Sequence, residues 1–400
     1  MKKNLFYIIL VLTTFSILSS CRKMEMGTPT ASAVADFSME FQNQSYAPCD
    51  VVFTNLSLNA STYLWDFGNG QTSTEANPTM HYDTAGVYTV TLTITPLNEL
   101  HYNSLVKTVV INIKDPNAGL TQVLYFTSRG ATFGNAHMVI LTDGVPLVQD
   151  FEATDMERPY GIAADPAHSK VYVTDYSIGA IYRFDADGKN PLKILDINVP
   201  GQEIVGDPEG IFVLGDKIYW GRTGGIYRAN LDGSSAEVFI NTGTTMPEFP
   251  LDMQYDSVSG KIYLVNDKTD YSGGYFSVNL DGSGLTNIIP DIDGTAMEID
   301  FATGKTYLAV YAVAGSAVTE NGIYMCNIDG SALAKIGDFG SKATWGMAID
   351  KQRAKLFWAY KISNSGKDGK IVRANLDGSG QEDWVTGVSP HAMQAVWIKL

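Results

Sequence analysis

From about residue 121 onward, apolar and polar positions alternate in short runs, and each run stops at a Gly, Asp or Asn cluster. That period of two predicts strands rather than helices. Five of the runs share one phrase: Ile181-Tyr-Arg-Phe-Asp-Ala-Asp-Gly188, Ile226-Tyr-Arg-Ala-Asn-Leu-Asp-Gly233, Tyr275-Phe-Ser-Val-Asn-Leu-Asp-Gly282, Ile323-Tyr-Met-Cys-Asn-Ile-Asp-Gly330 and Ile371-Val-Arg-Ala-Asn-Leu-Asp-Gly378. Met138-Val-Ile-Leu-Thr-Asp-Gly144 is a weaker sixth copy. The closing glycines fall 44 to 49 residues apart. A repeat of this length, built of strands and Asp-Gly turns, predicts a β-propeller with one copy per blade.

Two further phrases keep the same step. The first is Val123-Leu-Tyr-Phe, Lys170-Val-Tyr-Val, Lys217-Ile-Tyr-Trp, Lys261-Ile-Tyr-Leu, Lys305-Thr-Tyr-Leu and Lys355-Leu-Phe-Trp. Its third residue is always aromatic, as expected of bulk that packs between sheets. The second precedes it in five copies, for example Gly161-Ile-Ala-Ala-Asp165 and Gly346-Met-Ala-Ile-Asp350, and is expected to be innermost in each four-stranded blade. Nothing like it lies before Val123, but Pro390-His-Ala-Met-Gln-Ala-Val-Trp397 supplies it at the far end. The C-terminal strand is therefore expected to complete the first blade and close a ring of six over residues 121–400.

A different strand pattern occupies residues 35–114. Val87-Tyr-Thr-Val-Thr-Leu-Thr-Ile94 alternates cleanly, after Asn77-Pro-Thr-Met-His-Tyr-Asp-Thr-Ala-Gly86 and, further upstream, Tyr63-Leu-Trp-Asp-Phe-Gly-Asn-Gly70. This order of motifs resembles the PKD domain, an immunoglobulin-like β-sandwich. The resemblance implies that Trp65 is a core residue and that Gly68 to Gly70 form a hairpin turn; Asn69 stands where the family often has aspartate. It also implies a spacer or adhesion role. His81 and His101 are isolated histidines and are read as structural. Residues 115–120, which include Asp115-Pro-Asn-Ala-Gly119, read as a linker.

The N-terminus changes the picture of where the chain works. Lys2 and Lys3 precede an apolar stretch from Leu5 to Leu18, 14 residues long. A helix that short does not span a bilayer of about 30 Å hydrocarbon thickness, so residues 1–20 read as a signal peptide. Leu18-Ser19-Ser20-Cys21 matches the bacterial lipoprotein box, which implies lipidation at Cys21 and a flexible tether over residues 21–34. The expected location is the bacterial cell envelope, lipid-anchored in the outer membrane or at the cell surface.

Composition excludes some partners. The chain has 400 residues, 28 basic and 43 acidic, for a net charge of −15; removal of residues 1–20 takes two lysines and leaves −17. No basic cluster offsets this, which excludes nucleic acid. Of three cysteines, Cys49 and Cys326 fall in different predicted domains and are read as small buried apolar residues, without a disulfide. The protein is expected to be a monomer.

The ring resembles the six-bladed YWTD propellers of the low-density-lipoprotein-receptor class, through Tyr172-Val-Thr-Asp175, Tyr219-Trp220 and the Asn-Leu-Asp-Gly phrase. Only the second blade keeps Thr-Asp after the aromatic pair. NHL, gluconolactonase and strictosidine-synthase propellers are related rings, so fold does not choose between binding and catalysis. Loops after strands two and four vary in length and chemistry, and both sets emerge on one face, which is the expected binding face. The residues before the small residue of each innermost strand should ring the channel mouth there: Tyr160, Glu209, Leu251, Thr295, Trp345 and His391. Tyr160, Trp345, Glu209 and His391 suit a sugar or small polar ligand, with aromatic faces for stacking and polar groups for hydroxyls. Arg222, Tyr271, Tyr176, Tyr360 and Lys361 are candidates from the outer loops.

The expected function is non-catalytic recognition of a glycan, peptide or protein partner, with the PKD-like domain as spacer and no cofactor. A metal-dependent lactonase or related hydrolase is the alternative; its metal, if any, would fall to Glu209 and Asp252, with Glu298 nearby. A structural envelope protein is the third. No Gly-x-Ser-x-Gly elbow or Cys/His pairing is present, and the Asp-Gly turns lack a calcium-loop ligand series.

Overall fold

The computed structural model describes residues 32–97, 104–130, 132–241, 250–266, 273–312, 315, 317–340, 344–363 and 368–400. Cys21 with the whole signal segment, His101 and Tyr271 lie outside them. The chain divides into two compact units, Met1–Ala118 and Gly119–Leu400. Both are all-β: among the described residues, helix is confined to two short 3-10 turns, Asn43–Ser45 and Glu203–Val205.

The first unit is a sandwich of two antiparallel sheets. One contains Phe37–Phe41, Cys49–Asn55 and Thr79–Tyr82; the other contains Thr72–Ser73, Ala60–Asp66, Gly86–Pro96 and Leu105–Ile113. The alternation of Gly86–Pro96 turns Val90, Leu92 and Ile94 inward and leaves the intervening threonines partly exposed. These residues meet Phe37, Phe53, Trp65 and Phe67 in one core, where Trp65 is fully buried. Burial of the indole is compatible with its polar atom because Trp65 Nε1 donates to the Glu75 carbonyl at 2.9 Å. The turn after Trp65 is tight because Asp66 Oδ1 accepts the Gly68 N–H and Asn69 Oδ1 accepts that of Gln71. Gly68 has φ +74°, and a Cβ there would lie 2.7 Å from the Thr89 backbone nitrogen.

The second unit is a six-bladed β-propeller. Six four-stranded antiparallel sheets follow one another, the second being Pro159–Asp165, Lys170–Asp175, Ala180–Asp185 and Leu192–Asp196 in spatial order. The first is closed by the C-terminus: Pro390–Ile398 pairs with Thr121–Ser128, with Gln394 opposite Tyr125. A latch fixes this join, because buried Asp350 accepts from Gln122 Nε2 at 2.8 Å and from Arg353 Nη1 at 3.0 Å, while Arg353 Nη1 also donates to Gln122 Oε1.

The repeated phrases are tied to one another. In three blades the lysine that opens the aromatic phrase donates to the asparagine that opens the turn: Lys217 to Asn230, Lys305 to Asn327 and Lys355 to Asn375, at 2.7 to 2.8 Å. In the turn, Asp232 Oδ1 accepts the Ser234 N–H, as do Asp281 from Ser283, Asp329 from Ser331 and Asp377 from Ser379. These aspartates are therefore turn builders. The aromatics sit between blades: Tyr125 OH donates to the Ala186 carbonyl of the next sheet, and Tyr172 packs with Ile211, Ile218 and Trp220.

The Thr-Asp pair of the second blade has a structural role of its own. Asp175 accepts main-chain N–H groups from Glu157, Arg158, Ser177 and Ile178, gathering two loops around one buried carboxylate. Where the fourth blade has Asn266 instead, its Oδ1 accepts from the Gly274 N–H at 3.0 Å.

Candidate functional site

The innermost strands deliver their side chains to one end of the channel through local irregularities. Register shifts fall at Pro159/Ile162, Pro250/Asp252, Gly294/Ala296 and Pro390/Met393, so Tyr160, Leu251, Thr295 and His391 each occupy a bulge. A bulge breaks the alternation and re-aims a side chain, which is why such irregularities recur beside sites. The small residue that follows is required by proximity: a Cβ on Gly161 would lie 2.4 Å from the Glu209 carbonyl oxygen, and one on Gly346 would lie 2.0 Å from that of His391. Hydroxyls then tie Tyr160, Glu209 and Thr295 to neighbouring blades. Thr127 donates to the Tyr160 carbonyl, Thr174 to that of Glu209 and Thr295 to that of Thr344.

Tyr160, Trp345 and His391 come together. Their ring centroids are 5.5 Å apart for Tyr160 and Trp345, 4.6 Å for Tyr160 and His391, and 5.5 Å for Trp345 and His391. The three blades that supply them are consecutive around the closed ring. Tyr176 extends the group, 6.1 Å from Tyr160. Glu209 is buried on the next blade round.

The outer candidates fare differently. Arg222 is committed to its own blade: Nη1 donates to the Ile204 carbonyl at 2.9 Å, and the guanidinium lies 4.9 Å from the Tyr227 ring. Tyr360 is covered by Lys370 at 4.4 Å. Lys361, expected among the outer loops, is instead fully buried, with Nζ 3.3 Å from His391 Nδ1. Its backbone explains this, since Lys361 N donates to the Phe339 carbonyl and an isolated bridge pairs it with Gly340.

Sequence reasoning missed Arg129. It follows the first blade's Thr121–Ser128 strand, its guanidinium lies 5.7 Å from the Tyr160 ring centroid, and Nη2 lies 3.3 Å from His391 Nε2. Its position at the start of a variable loop was the available signal. Burial, then the charges of Arg129 and Lys361, hold His391 well below the usual histidine range. Burial, followed by Arg129 and Arg158, brings Lys361 down to about 7. Among the described residues, no carboxylate pairs with Arg129, Lys361 or His391.

Deeper in the channel lies a cavity of about 340 Å³ lined by Asp252, Gln254, Glu298, Lys351 and Gln394 among others. These groups stitch blades together. Asp252 accepts the N–H groups of Met253 and Met297, both at 2.9 Å, and Gln254 accepts from Ile299 N while donating to Glu298. Burial pushes Asp252 up to about 7 and Glu298 up to about 8. Both border the cavity, so part of their surface is accessible although protein surrounds them. Among the described residues, no three His, Cys, Asp or Glu side chains converge as metal ligands. Asp252 spends both oxygens on amides and no third ligand joins it among the described residues, so this donor set does not fit the divalent ion a lactonase centre implies.

Residues 27–111 match the model of the PKD domain. The first unit carries a PKD domain. It is similar to the pre-pro-metalloprotease PrtV of Vibrio cholerae serotype O1 (strain M66-2), 45% identical over 78 residues that cover 18% of this chain and 8% of that protein. The chain thus spans under a tenth of the length of that curated relative. For the ring, the crystal structure of a nidogen/laminin complex is similar at TM-score 0.55 and 18% identity, covering 68% of this chain and 98% of that one. TolB from Acinetobacter baumannii is similar at TM-score 0.51 and 12% identity, covering 78% and 80%. At these identities the likeness shows the propeller fold alone.

Proposed function

We propose that this protein is an envelope-anchored lipoprotein whose propeller recognises a glycan, peptide or protein partner without catalysis, the PKD domain serving as spacer. The observation that carries the reading is the convergence of Tyr160, Trp345 and His391 at the channel end displaying the variable loops. Tyr160 and His391 are buried and Trp345 is partly exposed, so Trp345 offers the stacking face and the buried groups behind it hold its position. A similar ring was solved within a nidogen/laminin complex, which supports partner binding as a use of this fold. Attachment at Cys21 in the outer membrane or at the cell surface completes the proposal, since several acyl chains anchor stably where one is marginal.

Glycan arrays and pull-downs with wild type and a Tyr160→Ala/Trp345→Ala variant test recognition. Binding that the double substitution abolishes is expected; binding unchanged by it defeats the reading. Replacement of Cys21 by alanine is expected to move the protein to the soluble fraction, and continued membrane retention defeats the anchor.

A further inference from the structure

On the variable-loop face, a groove of about 480 Å³ lies between the segment that leaves the first blade's Thr121–Ser128 strand and the crossover that precedes the C-terminal strand. Arg129, Phe133, Asn135, His137, Asp150 and Ser389 are among its lining residues. Three buried polar atoms of this wall have no hydrogen-bond partner among the described residues: Arg129 Nε, Asn135 Oδ1 and Ser389 Oγ. A native fold rarely leaves such atoms unmatched, and their clustering at one groove points to a ligand. Asp150, the groove's carboxylate, is already paired with His137 at 2.8 Å.

We infer that this groove binds a carboxylate-bearing sugar, a uronate, with Arg129 facing the carboxylate. The assignment follows from what each unmatched atom requires. Arg129 Nε needs an acceptor, Asn135 Oδ1 needs a donor, and Ser389 Oγ takes either. The acceptor is anionic because the Arg129 guanidinium carries a charge that enters no ion pair among the described residues. The donor is a hydroxyl of the same ring. Phe133, 61% exposed beside the groove, offers an apolar face to the C–H side of a sugar.

The inference rests on the recognition reading and names its ligand class, so the test separates the two. Calorimetric titration of the full chain with D-glucuronate and D-glucose is expected to show glucuronate binding about tenfold tighter or more. Arg129→Gln and Asn135→Asp are each expected to weaken glucuronate by about tenfold. Asn135 is only half-buried, so Asn135→Asp keeps the test open if Arg129→Gln fails to fold. Equal affinity for the two sugars, absence of glucuronate binding, or indifference to both substitutions overturns the inference. If a neutral glycan or a protein is lost with Trp345→Ala but held by both groove variants, the recognition reading stands and the uronate groove falls.

Discussion

Lys361 Nζ and His391 Nδ1 lie 3.3 Å apart with both residues fully buried, and Arg129 Nη2 is 3.3 Å from the other ring nitrogen. A guanidinium only donates, so Nε2 is the acceptor and the single proton of a neutral imidazole sits on Nδ1. That N–H then donates to the Lys361 amine, which accepts only when uncharged. The lowered values of both groups agree with this arrangement.

Lys361→Met is therefore expected to stabilise the propeller at mildly acidic pH. The folded value of Lys361 is about 7 against an ordinary 10.5, so below 7 both states are protonated and the folded one carries the full penalty of a buried charge. Between about 7 and 10.5 the unfolded state binds the extra proton, and the penalty fades as pH rises. Denaturant midpoints should show the variant more stable by on the order of 2–4 kcal/mol at pH 6, with the gap closing toward pH 10. A gap independent of pH would show that Lys361 is not the titrating group.

The same arrangement gives uronate binding a pH dependence. A carboxylate at Arg129 adds negative potential beside Lys361, favouring its protonation against Arg129 and Arg158, which oppose it. Binding then takes up a proton, and affinity for D-glucuronate rises as pH falls through about 7. Titration in two buffers of different ionisation enthalpy measures this uptake; Lys361→Met should abolish it.

Glu298 titrates with the opposite sign. Its folded value is about 8, above its ordinary 4.5, so the unfolded state loses its proton first and stability falls as pH rises between the two. Glu298→Gln keeps a partner for Gln254 and removes the titration. Guanidinium unfolding should show variant and wild type alike near about pH 4, and the variant ahead by a few kcal/mol near about pH 9.

Much of this architecture could be read from the chain because its signals are periodic. Six Asp-Gly turns, six aromatics and a displaced innermost phrase give blade number, strand order and closure before any coordinate is known. Trp65 and the Gly68 to Gly70 turn were legible through the resemblance to the PKD domain, which implies a core indole followed by a Gly-rich turn. The mouth was legible in part: the small residue after each mouth position records the close approach that Gly161 and Gly346 make to the next blade. Arg129 and Lys361 were not, because their burial depends on how non-adjacent segments meet. Lys361 is drawn inward by its bridge to Gly340, and Arg129 meets His391 only because residues 262 apart are joined by ring closure.

Closure itself carries a prediction. Removing residues 388–400 strips the first blade of its innermost strand and leaves the Thr121–Ser128 edge unpaired. An exposed apolar edge templates association, so the truncated chain should sediment as aggregates and lose its cooperative melt. A monomeric truncation with an unchanged Tm would contradict the ring topology.

Gly346 offers the sharpest test of how the mouth is built. An added methyl would sit 2.0 Å from the His391 carbonyl oxygen, and its other near neighbours, Ala392 C and Met393 N at 2.8 Å, are also backbone. Nothing there can rotate away, so Gly346→Ala must push apart the sixth blade and the C-terminal strand. Overpacking of this kind costs about 1–3 kcal/mol, which should lower Tm by several degrees. Because the displaced strand carries His391, the Tyr160, Trp345 and His391 rings separate as well, and ligand binding should fall by more than the loss of folded protein accounts for. Thermal unfolding together with binding measured well below Tm distinguishes the two effects. Full binding at reduced Tm would mean that the mouth tolerates strand displacement and that recognition does not depend on this trio.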